Sequence, residues 1–152
     1  MSDRGPVGDA PVEELREWVA DEVGAVIEVT GLESHWRMLL ELELRWAEDR
    51  ELIFERSHLP RCTTRSGQIN PASARVDLIS DPLEEDPFEL AERVREHWEG
   101  EGWEISQLGP SYYRADRADG ATLAIEGAEG AAGKMLVLAV QSVCSNNLSV
   151  AH

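Results

Sequence analysis

The chain has 152 residues, the size of one ordinary domain, with 14 Lys+Arg against 30 Asp+Glu for a net charge of −16. At that length folding can bury roughly 70% of the unfolded surface without a staple, and a 42% hydrophobic composition with five tryptophans argues for a packed core. A surface this acidic repels nucleic-acid phosphates and anionic lipid, so no nucleic acid is expected as a partner. A basic protein is an allowed partner, although the same charge also serves plain solubility.

Met1 to Ala10 is rich in Gly, Pro and Asp and reads as a disordered lead-in, residues 1–10. It holds no apolar signal core, and no run of the chain is long and apolar enough to insert directly into a membrane. The expectation is either a cytoplasmic protein or the mature part of an exported one.

From Pro11, the spacing of Val12, Leu15, Val19, Val23, Val26 and Ile27 predicts an amphipathic helix that ends near Thr30-Gly31. Residues 35–57 fit two patterns. Leu40, Leu42, Leu44 and Trp46 alternate with charged residues as a half-buried strand does, with Leu52-Ile53-Phe54 as a hairpin partner. Trp36, Leu39, Leu40, Leu44 and Ala47 also fit a helical face. The alternation favours strands.

Leu59 to Ala74 is loop chemistry, carrying Cys62 and the basic run Arg61 to Arg65. Arg75 to Ser80 reads as a strand. Asp86-Pro87-Phe88-Glu89 is the sharpest local signal: an Asp cap, Pro at the first helical position, and Glu placed to reach back to the cap. Leu90, Ala91, Val94 and Trp98 then form a buried stripe ending by Gly100 or Gly102, with Glu92, Arg95, Glu96 and Glu99 as a solvated face.

Beyond the helix the period falls to two. Trp103 to Ile105, Tyr112 to Asp116 and Thr122 to Glu126 read as strands, with Asp119-Gly120 as a hairpin turn. Gly127 to Gly133 reads as a loop, Lys134 to Cys144 as the central strand, and residues 145–152 as a polar tail. The expected fold is α+β: a single domain over residues 11–144, with an antiparallel sheet of four or five strands and the Asp86 to Glu99 helix packed on one face.

Candidate chemistry is sparse. His58 and Cys62 are the nearest approach to a metal pair or a nucleophile with its base, and the spacing leaves both incomplete, so no metal, cofactor or catalytic residue is assigned. Glu84-Glu85-Asp86 lacks the alternation of a calcium loop. Gly127, Gly130 and Gly133 lack the Lys-Ser/Thr ending of a phosphate cradle. Tyr112, Tyr113 and Trp103 read as sheet and core aromatics. Cys62 and Cys144 are compatible with a disulfide or with two buried thiols.

The run Pro87 to Trp98, then Gly102-Trp103-Glu104-Ile105, Asp119 to Leu123 and Ser142-Val143-Cys144, resembles small cell-envelope lipoproteins of high-GC actinobacteria. Those proteins commonly pair a cysteine before the first sheet strand with one ending the last. The resemblance implies a Cys62–Cys144 disulfide and an exported setting. With the absence of catalytic spacing, it motivates the expectation of a non-enzymatic envelope or secreted domain that binds a protein or small ligand. The alternative is an acidic cytoplasmic inhibitor or immunity-type protein that blocks a basic partner.

Overall fold

A computed structural model describes residues 7–57, 59–62 and 72–145. In chain order the elements are β1 (Val7–Gly8), α1 (Val12–Thr30), β2 (Trp36–Met38), β3 (Glu41–Arg45), α2 (Trp46–Arg56) and β4 (Arg75–Ser80). They continue with α3 (Pro87–Gly100), β5 (Glu104–Gly109), β6 (Tyr112–Asp116), β7 (Thr122–Gly130), β8 (Gly133–Gln141) and β9 (Cys144–Ser145).

Helix α1 starts after Pro11 with Glu13 and Glu14 in its first turn, where the helix dipole favours acids. It stops at Gly31, whose φ of 73° is left-handed and whose N–H donates to the Ile27 carbonyl. In α3, Asp86 accepts from the Phe88 N–H at 2.9 Å and Pro87 opens the helix. Glu89 departs from the expected capping box: it pairs with Arg93 one turn on, at 3.3 Å, instead of reaching back.

The middle of the chain is mixed. The alternating run does become β3, but its hairpin partner is β2, and Leu52-Ile53-Phe54 lies within α2. Trp46, Ile53 and Phe54 give α2 a buried side, and the Asp49 carboxylate accepts from the Arg45 amide at 2.9 Å, holding the helix start. A kink at Asp49 breaks the regular period, which weakens the helical pattern along the sequence.

Because β2 and β3 join it, the main sheet has seven strands rather than four or five, in the order β3-β2-β4-β8-β7-β6-β5, all antiparallel. The central strand is β8, as its double-sided apolarity predicts. The expected loop at Gly127 to Gly133 is instead strand: β7 runs on to Gly130 and turns through Ala131-Ala132, with Gly133 at φ 112°. Small side chains hid a ladder that the backbone alone completes. The ends of the described chain also pair, since Val7-Gly8 lies parallel to Cys144-Ser145.

The strand register places Met38, Val76, Leu78, Leu138, Val140, Leu123, Ile125 and Ala115 on one face, where α1, α2 and α3 cover them. One close approach fixes this layer. A Cβ on Gly127 would meet the Pro87 carbonyl oxygen at 2.6 Å, so the start of α3 rests directly on β7. Gly127→Ala is therefore expected to lose about 1–3 kcal/mol, the usual cost of forcing backbone apart in a packed layer, read as a lower urea midpoint.

The opposite sheet face carries no helix. On its β2–β3 side, burial opposes ionisation of Asp81, yet hydrogen bonds from Arg37 and Arg45 prevail and hold its carboxyl below the ordinary carboxylate value.

Candidate functional site

Two helical faces meet beside the core stripe of α1. Glu13, Arg16, Glu17 and Ala20 occupy positions i, i+3, i+4 and i+7, so they share one side of α1. Arg50, Glu51, Phe54 and Glu55 likewise share one side of α2. Together these eight residues line a groove of about 420 Å³.

The groove has a tied floor and a free rim. Arg16 donates to the Phe54 carbonyl at 3.2 Å and lies 5.6 Å from the centre of the Phe54 ring. Arg50 sits 4.7 Å over the Trp46 ring, which meets Phe54 edge-on at 5.6 Å. Both cations are thus engaged with aromatic surface. Glu13, Glu17, Glu51 and Glu55 are exposed and make no ion pair among the described residues.

This arrangement differs from that on α3. On α3 the acidic face is a closed network: Arg95 bonds Glu92 and Glu99, and Tyr113 donates to Glu92 at 2.8 Å. Those hydrogen bonds from Arg95 and Tyr113 hold the Glu92 carboxyl down. Arg117 is likewise spent, bonded to Asp119 and stacked 4.8 Å over Trp103. In the groove four carboxylates stand unpaired among the described residues, beside two arginines that are turned to aromatic rings.

Residues singled out by sequence are dispersed. The sulfurs of Cys62 and Cys144 are bonded at 2.01 Å, across 82 residues, and both cysteines are buried. His58, Thr63, Thr64 and Arg65 lie outside the described residues. Among the described residues no cluster of three or more His, Cys, Asp or Glu is arranged to hold a metal. Gly127 serves helix packing, Asp86 caps α3, and Trp103 packs beside Trp18 with ring centres 6.3 Å apart. Tyr112 faces the helix-free side of the sheet while Tyr113 is buried.

The groove is not legible in the sequence because residues of α2 also fit the alternation and turn of a hairpin. Its one sequence signal is the four-residue spacing of Trp46, Arg50 and Phe54.

Fold and groove together define a small α+β domain with helices on one face of an antiparallel sheet and an acidic cleft between two of them. No protein-family model matches the chain, and a search of curated proteins returns no match. Among the described residues, no helix is long and apolar enough to cross a membrane.

Proposed function

We propose that this is a non-enzymatic binding domain of the cell envelope or extracellular space, whose α1–α2 groove seats a basic amphipathic segment of a protein partner. The observation that carries the reading is the set of four unpaired carboxylates, Glu13, Glu17, Glu51 and Glu55, around the Phe54 ring. Apolar side chains of the segment would lie on Ala20 and on the small part of Phe54 that reaches the groove, and its Lys or Arg heads would reach the rim. The net charge of −16 would speed such an encounter.

The compartment is supported by the buried Cys62–Cys144 bond, because disulfides persist where the surroundings are oxidising. A cytoplasmic inhibitor of a basic protein would use the same groove, but that setting keeps thiols reduced.

A labelled Leu/Lys amphipathic helical peptide, followed by fluorescence anisotropy, tests the groove. Binding is expected to weaken as salt rises, since rim charges are screened. Combined Glu17→Gln, Glu51→Gln and Glu55→Gln should weaken it about tenfold, three exposed charge contacts together amounting to about 1.4 kcal/mol. Removing equal charge elsewhere, by Glu84→Gln, Glu85→Gln and Glu129→Gln, should change it by less than about twofold. Equal loss from both triple variants would mean that bulk charge, not the groove, does the binding.

A further inference from the structure

The helix-free face of the sheet carries a second concavity, and its chemistry differs from that of the acidic groove. The register sets out the rows that build it: Asp77, Ala139, Ala124 and Arg114 cross four strands side by side, next to Arg75, Gln141, Thr122 and Asp116. Where the two alanines are neighbours the surface drops. The hollow is about 340 Å³, rimmed by Arg75, Tyr112, Arg114, Thr122 and Gln141, with Leu108 at one side.

Charge decides what fits. Among the described residues no carboxylate lines the hollow, and Asp77 and Asp116 at its edge are bonded to the rim arginines, so a cationic ligand finds no free partner there. Both rim arginines are already neutralised by an aspartate two residues along their own strands: Arg75 by Asp77 at 2.8 and 3.0 Å, and Arg114 by Asp116 at 3.0 Å. An anion would have to compete with those aspartates and approach against a net charge of −16. A wholly apolar ligand would strip water from guanidinium, hydroxyl and amide groups without replacing their hydrogen bonds.

What remains is an uncharged ligand, rich in hydroxyls, with one flat apolar face. We infer that the hollow is a subsite for a neutral saccharide ring. The C–H face of the ring lies on Ala124 and Ala139 beside the Tyr112 ring. Its hydroxyls meet the guanidinium N–H groups of Arg75 and Arg114, which their aspartates hold in place, and the Thr122 hydroxyl. This site is separate from the α1–α2 groove, and either can stand without the other.

Titration of the isotope-labelled full chain with three neutral oligosaccharides, maltotetraose, cellotetraose and tetra-N-acetylchitotetraose, followed by amide chemical shifts, tests the assignment. At least one should shift the amides of Thr122, Ala124, Arg114 and Ala139 at millimolar concentration, leaving α1 and α2 unmoved. Ala139→Leu, which fills the floor from a solvent-facing position, should weaken that binding about tenfold or more while leaving the spectrum folded. Arg114→Ala provides a second variant and should weaken it as well. The assignment is overturned if none of the three shifts these amides, if the shifts map elsewhere, or if an oligogalacturonate or a glucosamine oligomer binds this face more tightly than the neutral sugars.

Discussion

Reduction of the Cys62–Cys144 bond is expected to lower the free energy of unfolding by about 4.5 kcal/mol, the loop-entropy value for a link that spans 82 residues. The bond does more than close a long loop. Arg61 bridges Ala72, Ala72 exchanges backbone hydrogen bonds with Ser145 at 3.0 and 2.8 Å, and β9 pairs with β1. Ser145 Oγ also donates to the Ala10 carbonyl at 2.6 Å. Apart from the Arg61–Ala72 bridge, each of these links is short, joins segments far apart in sequence and runs through Cys144 or Ser145.

Urea titrations with and without a phosphine reductant measure the loss, and the Cys62→Ser/Cys144→Ser double variant should match the reduced protein. A shift below about 1 kcal/mol would show that the small sheet holds without its covalent link. The two cysteines are bonded to each other, so protein isolated under air should show no free thiol, folded or in urea, until a reductant is added.

Trp98→Ala is expected to cost about 3–5 kcal/mol, the range for deleting a fully buried indole. Trp98 is 0% exposed and closes the stripe of Leu90, Ala91 and Val94 by which α3 meets the sheet. Its carbonyl accepts the Trp103 N–H at 3.1 Å, so the same residue directs the chain from helix into β5. The comparison is Leu40→Ala, at 86% exposure, which should stay within about 0.5 kcal/mol of the parent. If the two variants unfolded at the same urea midpoint, α3 would not be anchored through Trp98.

The C-terminal half was legible because its signals are local. Asp86 and Pro87 announce α3, and the run Met135 to Val140 is apolar on both faces, as a central strand with neighbours on each side must be. The middle was not, because Leu and Glu suit either state and the kink at Asp49 interrupts the helical period. What tips Leu52 to Phe54 into helix is burial of Ile53 and Phe54 against strands that the local pattern does not reveal. The α1–α2 groove and the hollow on the helix-free face share this difficulty. One needs α1 and α2 set side by side, and the other needs four strands in register before Ala124 and Ala139 become neighbours.

The position of β8 bears on how the chain comes to be folded. β3, β2 and β4 form one block from the first 80 residues, β5 to β7 form another from residues 104–130, and only β8 joins them, pairing with β4 on one side and β7 on the other. Until Gly133 to Gln141 emerges during synthesis, β4 presents an open ladder edge and Val76 and Leu78 lack Val140 and Leu138 beside them. The earlier block therefore waits for nearly the whole chain, and its non-local closure places this protein among the slower folders of its size. Such a chain spends longer unfolded, the state in which translocation machinery can thread it and in which exposed strand edges most need a chaperone.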